Sequence, residues 1–280
     1  LFHVQKDHFY GHAASLAWKP GFTGVPVDAE PAKLARLRTR ACVVFPHGTM
    51  ANSPTKVLAI SETANFGPFT GQLLVGEMNK PRIVRVMLEE VDGELQGACV
   101  PFIDGSPLGR GCNRMAWATD GSLFVGQTKH TWAGGQGIQQ VSWNGKTPFE
   151  IQNMELTTKG FKITFTQPVD QSLAQKKENW PFNRYFFEYR RAYGSPRSEE
   201  TRVEVEKITV SPDGTEVDIE LTELQAWHIH EVKIQNLTSK SGEELSNNYI
   251  VYTLNRLLAN TPPDPLQVKL AQLNTSGKKK

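Results

Sequence analysis

Two histidines in glycine-flanked segments are the side chains of this sequence most suited to proton transfer or ligation. His12 lies in Tyr10-Gly-His-Ala-Ala-Ser15, and His47 lies in Phe45-Pro-His-Gly-Thr-Met50 with Asn52 shortly after. A histidine on such a loop can act as a base or a ligand, because the glycine permits a tight turn and leaves the imidazole accessible. The competing reading for both is a hydrogen-bonded histidine that fixes its own turn. Asn113 and Arg114 precede the apolar run Met115-Ala-Trp117, where an arginine is placed to grip a carboxylate or phosphate with two parallel hydrogen bonds, or to form an ion pair between neighbouring elements. The segment 127–136 brings together Gln127, Lys129, His130 and Trp132 among glycines. An indole with amides and cations around it suits stacking on a sugar ring; the competing reading is a Trp that plugs a junction.

Other chemistry-bearing residues give less. His228 and His230 flank Ile229 on an expected strand, so both rings face one side. No third ligand accompanies them, and solvent-facing histidines are the favoured reading. Arg82 and Arg85 are expected as surface charges. The three cysteines, Cys42, Cys99 and Cys112, have no metal-ligand spacing; small buried apolar side chains are favoured over a Cys99–Cys112 disulfide. No nucleophile elbow, phosphate-binding loop, HExxH, CxxCH or dinucleotide fingerprint occurs. With 31 basic and 29 acidic residues the net charge is +2, and no basic stripe interleaved with aromatics argues for nucleic acid. No apolar run approaches the roughly 18 residues of a membrane-spanning helix. The sequence carries no charged-and-apolar leader of the secretory type.

The elements that position these residues announce themselves by repetition. Gly71-Gln-Leu-Leu-Val-Gly-Glu77 runs through a turn to Arg82-Ile-Val-Arg-Val86, and Gly121-Ser-Leu-Phe-Val-Gly-Gln127 through a longer turn to Gly137-Ile-Gln-Gln-Val141. Ser15-Leu-Ala-Trp18 before Pro20-Gly21 echoes Arg114-Met-Ala-Trp117 before Asp120-Gly121. A strand-rich repeat of about 50 residues points to β-propeller blades. Residues 1–146 hold about three blades, fewer than the four to eight that usually close a ring, so missing N-terminal blades are expected. Residues 29–40 read as a turn or two of basic surface helix with a solvated face.

The texture changes near Pro148. Strands are expected at 150–156, 161–166, 185–190, 203–210, 216–221, 228–234 and 249–254, with a short helix in 171–179. About seven short strands in such a span is the signature of an immunoglobulin-like sandwich. The expectation is therefore an all-β chain: partial propeller over 1–146, about three blades of a six-bladed ring; Ig-like β-sandwich over 147–256; linker or frayed tail over 257–280.

Residues 8–21 (HFYGHAASLAWKPG), 45–54 (FPHGTMANSP), 66–76 (FGPFTGQLLVG), 97–102 (GACVPF) and 113–128 (NRMAWATDGSLFVGQT) resemble the C-terminal blades of sorbosone/glucose dehydrogenase-like propeller proteins. FKITFTQPV (161–169), YGSP (193–196) and VSPDG (210–214) resemble the bacterial Ig-like module that follows them. The resemblance spans about residues 8–255. It implies a secreted or periplasmic quinoprotein relative whose mouth holds pyrroloquinoline quinone and calcium, any haem being in modules outside this sequence. In active relatives a histidine takes the sugar hydroxyl proton and arginines stabilise the anionic cofactor; by residue type and loop position, His47 or His12 is the candidate base here, Arg114, Asn113 and Asn52 are the candidates for the cofactor, and Gln127, Lys129, His130 and Trp132 those for a carbohydrate. The rival expectation is a non-catalytic propeller that binds glycan or protein, with the Ig-like domain as spacer.

Overall fold

The structure is a computed structural model that describes residues 1–11, 21, 23, 34–35, 37–64, 66–131, 133–189 and 194–265. His12, Trp132 and the Ser15–Trp18 echo lie outside the described residues. The expectation of an all-β chain holds: three antiparallel sheets account for the strands, and among the described residues none closes on itself.

The first repeat copy builds a meander of four consecutive strands, β1 (Pro54–Ala59), β2 (Leu73–Glu77), β3 (Arg82–Val91) and β4 (Glu94–Asp104). Strands β3 and β4 join through Asp92-Gly93, both at positive φ, the two-residue turn whose twist suits a hairpin. The second copy builds β5 (Cys112–Trp117), β6 (Leu123–His130) and β7 (Ala133–Val141) as a separate three-stranded sheet. The segment expected as a long loop at 127–136 is instead strand: β6 and β7 stay paired out to His130↔Ala133. Gly, Thr and Gln supply no apolar signal there, but Gln127↔Gly137, Lys129↔Gly134 and His130↔Ala133 pair across the hairpin, with the Thr128 amide donating to the Gly111 carbonyl at the shift between them.

Eight strands follow: β8 (Ile151–Leu156), β9 (Gly160–Phe165), β10 (Phe182–Phe187), β11 (Arg197–Val203), β12 (Val205–Val210), β13 (Glu216–Leu221), β14 (His228–Lys233) and β15 (Tyr249–Leu254). One turn of helix, α1 (Gln171–Ala174), separates β9 from β10; the Asp170 carboxylate caps it by accepting from the Ser172 and Leu173 amides. Four of these strands form a sheet in the order β12-β13-β9-β8. The others extend the first meander, giving one eight-stranded sheet ordered β1-β2-β3-β4-β15-β14-β10-β11.

That continuity is the architectural fact on which the rest depends. Strand β15 pairs with β4 through Val251↔Cys99, Tyr252↔Ala98 and Thr253↔Gly97. The core between the two larger sheets draws Phe161, Ile163, Trp180 and Tyr252 from the later half, and Met87, Val91, Ala98 and Val100 from the meander. Removing one such side chain from water contributes roughly 1.5–3 kcal/mol, so the meander helps to fill the sandwich rather than merely abutting it.

Several side chains expected at the surface are buried by this arrangement. Arg82 and Arg85 are interior. The Arg82 guanidinium holds the Asp104 carboxylate at 2.5 and 2.9 Å and donates to the Thr49 and Met50 carbonyls. His228 and His230 are buried too, because β14 lies in mid-sheet with both faces covered. The three cysteines are free and buried, and burial pushes the Cys112 thiol up to about 11. Within 29–40, Leu34, Ala35 and Leu37 are helical, but the basic residues beyond are not a solvated face. The Arg38 guanidinium lies 5.1 Å from the Tyr189 ring centre, and Arg40 pairs with Asp264.

Candidate functional site

Most of the described candidates meet at one end of the two repeat sheets. The β2–β3 turn, residues 77–81, is the hub. Glu77 is fully buried, and its carboxylate accepts the backbone N–H groups of Asn52 (2.8 Å), Ser53 (2.9 Å) and Asn79 (2.7 Å). Three amide donors satisfy a buried carboxylate without a counter-ion, and here they clamp the 47–53 turn onto the β2–β3 turn. The Asn52 side chain accepts from the Gly48 amide at 2.8 Å, and Lys80 donates to the Gly48 carbonyl. His47 stands exposed at the tip of that turn.

The second repeat reaches the same hub. The Gly111 amide donates to the Met78 carbonyl at 3.0 Å, and the Thr128 hydroxyl lies 3.9 Å from the Met78 sulfur. Asn113 donates to the Thr128 hydroxyl at 3.1 Å, while Arg114 folds back onto the Asn113 carbonyl and side-chain oxygens at 2.9 and 2.8 Å. Gln127 donates to Gln139 across the β6–β7 hairpin. Beyond it, Lys129 and His130 are exposed near the hairpin tip, with His130 Nδ1 3.1 Å from the Thr131 hydroxyl. Residues 47–52, 113–114 and 127–130 thus belong to one hydrogen-bonded end.

What this end can do chemically follows from those partners. It offers amides, hydroxyls and exposed cations, the groups that hydrogen-bond polyhydroxylated or anionic ligands. Its one buried carboxylate, Glu77, is already saturated by amides. Calcium takes six to eight oxygen ligands, and among the described residues no three His, Cys, Asp or Glu side chains converge to hold a metal ion. Lys80 bonds across to the Gly48 carbonyl and Arg114 back onto Asn113, so the two cations do not converge on a shared point. The described residues do not fit a quinone–calcium pair, and no reaction step is derived through those groups.

A second polar concavity escaped the sequence. A cleft of about 640 Å³ opens where residues 38–42 meet the ends of β14 and β15, with Trp227 in its wall. Trp227 adopts φ +67°, a left-handed conformation costly for a bulky side chain. Its indole donates to the Pro262 carbonyl at 2.9 Å, with the Arg40 and Arg256 guanidinium carbons 5.3 and 5.0 Å from the ring centre. Arg40 grips Asp264 by two bonds of 2.6 and 3.0 Å, and Arg256 pairs with Glu94. These cations are spent on fastening the 38–40 and 256–264 segments to the sheet. Nothing in the local sequence around Trp227 signals this, because its partners lie far along the chain.

The junction of the meander with the later sheets holds the most perturbed groups. Arg85 and Glu150 are both buried, 3.8 Å apart, with Arg85 also donating to Gln72, Gln152 and the Ile151 carbonyl. The Arg85 guanidinium carbon lies 4.2 Å from the Phe69 ring centre and 5.2 Å from that of Phe102. Burial lifts the Glu150 carboxyl to about 7 against the opposing pull of Arg85, and burial lowers Arg85 to about 10. With Arg85 0% and Glu150 1% exposed and both bonded to the backbone or side chains around them, the pair reads as a structural lock between the meander and the later strands.

Comparison with protein-family models gives no match, and comparison with curated proteins gives none. Among solved structures, the surface layer protein SbsC, domains 1–6, aligns at TM-score 0.30 and 22% identity over 39% of this chain and 14% of its own. The N-terminal part of the same bacterial S-layer protein aligns at TM-score 0.30 and 22% identity over 38% of this chain and 24% of its own. The matched region is thus under a quarter of those chains, and likenesses this low assign neither a fold nor a function.

Proposed function

We propose that this chain is the C-terminal part of a secreted or periplasmic sugar-dehydrogenase-like β-propeller protein. Its role is to bind carbohydrate at the hydrogen-bonded end of the repeat sheets, with the later strands as an Ig-like spacer. The observation that carries the reading is the meeting on the β2–β3 turn of residues 48–53, Gly111 and Thr128, with Asn113 bonded to Thr128 beside them. A binding role is favoured over turnover because this end presents amides, hydroxyls and the exposed Lys129 and His130, groups that hydrogen-bond a saccharide. On this reading Lys129 and His130, exposed near the β6–β7 tip, contact the saccharide, and Asn113 and Asn52 hold the surface in shape.

Saturation-transfer NMR of the chain against aldoses and uronates tests the reading. We expect binding that weakens at least about fivefold, about 1 kcal/mol, in Lys129→Ala/His130→Ala and persists in His47→Ala. No binding by the unsubstituted chain sinks the proposal. Dye reduction that depends on added quinone and calcium and is lost in His47→Ala would replace it with the dehydrogenase reading.

A further inference from the structure

The connector between β7 and β8 carries the one Asn-Gly pair of the sequence, Asn144-Gly145. Residues 142–146 are exposed, and the pair forms the tip of the turn Trp143-Asn-Gly-Lys146. Two side chains hold that turn, and both bond to the backbone of Lys146. The Lys146 amide donates to Asn144 Oδ1 at 3.0 Å, and the Trp143 indole donates to the Lys146 carbonyl at 2.9 Å.

A carboxamide held this way is an electrophile with a nucleophile beside it. The bond from Lys146, two residues on, closes a ring of atoms through Gly145 and folds the Asn144 side chain back over the Gly145 nitrogen. The same N–H points at the oxygen that becomes negative when Cγ is attacked, where a fixed donor lowers a barrier. Gly145 offers no obstruction: its φ is +80°, and a Cβ there would meet nothing within 4 Å. Every other asparagine of the sequence precedes a residue that carries a side chain. Asn179 and Asn255 are buried besides.

The geometry points to Asn144-Gly145 as a self-modifying site, which in the folded protein converts without an enzyme to aspartate and isoaspartate. The Gly145 nitrogen gives its proton to water and attacks Asn144 Cγ, forming the new C–N bond of a cyclic succinimide. The bond from Cγ to the carboxamide nitrogen breaks, and that nitrogen takes up a proton and leaves as ammonia. Water then adds to either ring carbonyl, its hydroxyl going to carbon and its proton to the Gly145 nitrogen as the ring opens. Opening at Cγ leaves aspartate. Opening at the main-chain carbonyl leaves isoaspartate, with the chain rerouted through the former side chain. Both products add a negative charge, and isoaspartate also lengthens the main chain between the second repeat and β8. The inference uses none of the residues of the functional proposal and needs no carbohydrate.

The test is peptide mapping by mass spectrometry of the folded 280-residue chain during long incubation at mildly alkaline pH, with labelling by an isoaspartate methyltransferase as a second readout. We expect the peptide spanning 142–147 to exchange its amide for an acid and to accept the methyl label, ahead of every other asparagine-containing peptide. Gly145→Val should slow the conversion at least about tenfold, since a β-branched side chain crowds the attacking nitrogen. Lys146→Pro, which lacks the N–H, should slow it about fivefold in the folded chain and leave it unchanged in the chain unfolded by urea. Both substitutions lie in an exposed turn, and unchanged melting temperatures separate lost reactivity from lost folding. No conversion at Asn144, conversion no faster than at the other asparagines, an unaltered rate in Gly145→Val, or a Lys146→Pro effect that is equal in folded and unfolded chains overturns the inference.

Discussion

The two repeat hairpins share a glycine-flanked apolar pattern and a pairing register, yet one is interior and the other is a surface. In the first, both faces of β2 and β3 are covered, one by the second repeat and the other by Val43, Met50, Tyr185 and Val251. In the second, only the face with Leu123 and Val125 is covered, while Phe124 and Ile138 on the other are exposed. The difference teaches that the local sequence specifies the hairpin, while its neighbours decide which alternating residues carry energy. Arg85 and Gln140 make the point, since each pairs with the residue equivalent to the other's partner, Leu74 or Phe124. Arg85 is sealed against Ile151, Gln152 and Glu150, whereas Gln140 is exposed and donates to the Ser122 hydroxyl at 2.9 Å.

The largest expected effect breaks that pair of positions. Arg85→Ala leaves the Glu150 carboxylate buried without its cation and should cost about 3–5 kcal/mol. Gln140→Ala should cost no more than about 0.5 kcal/mol, the usual range for a surface substitution. Urea midpoints of the two variants measure both, and equal losses would mean that the hairpins are not differently covered.

A smaller effect sharpens the contrast through pH. Burial raises the folded-state pKa of Glu150 to about 7 from its ordinary 4.5, so the folded protein holds that proton more tightly. Its contribution to stability is present below pH 4.5 and is lost as pH rises to about 7. His230 behaves oppositely. Burial, then repulsion by His228 and Arg184, lowers it from 6.5 to about 3. Its neighbours Phe161 and Tyr252 offer rings rather than charge, and among the described residues neither ring nitrogen has a hydrogen-bond partner. Its neutral form folds, so its contribution is complete above pH 6.5 and is lost as pH falls toward 3. The groups facing His228 are Arg184 and the Phe186 ring on the adjoining β10 and Glu199 on β11 beyond it. Chemical-denaturation midpoints across pH 3–8 should therefore flatten between 4.5 and 7 in Glu150→Gln, and between 6.5 and 3 in His230→Phe. Unchanged profiles would place both groups in water.

Much of the fold was legible because alternation is a local property. Seven expected strands after Pro148 match β8, β9, β10, β12, β13, β14 and β15 within a few residues, and the expected short helix is α1 with the turn after it. Strand β11, with Ser198-Glu-Glu-Thr-Arg202 almost wholly exposed at a sheet edge, has no alternation to read. The burial of Arg85 was not legible, because its Ile151 partner lies 66 residues on. The burial of His228 and His230 was not either, because alternation does not tell whether the second face of a strand is covered. Of the candidate site, His47, Asn52, Asn113 and Arg114 were found as polar residues beside turns. Glu77, which clamps the 47–53 turn onto the β2–β3 turn, looked like the end of an apolar strand.

The comparison of the two hairpins rests most directly on Gly76 and Gly126, and one measurement decides it: the melting temperatures of Gly76→Val and Gly126→Val in the 280-residue chain. The account predicts that valine at position 76, forced against the Cys112 carbonyl, costs about 3 kcal/mol or more and lowers the midpoint by several degrees. Valine at position 126 should leave the midpoint within about a degree, since the space beside it is open and a β-branched residue suits a strand. Comparable losses at the two positions, or a larger loss at Gly126, would contradict the claim that one repeat face is covered and its counterpart bare.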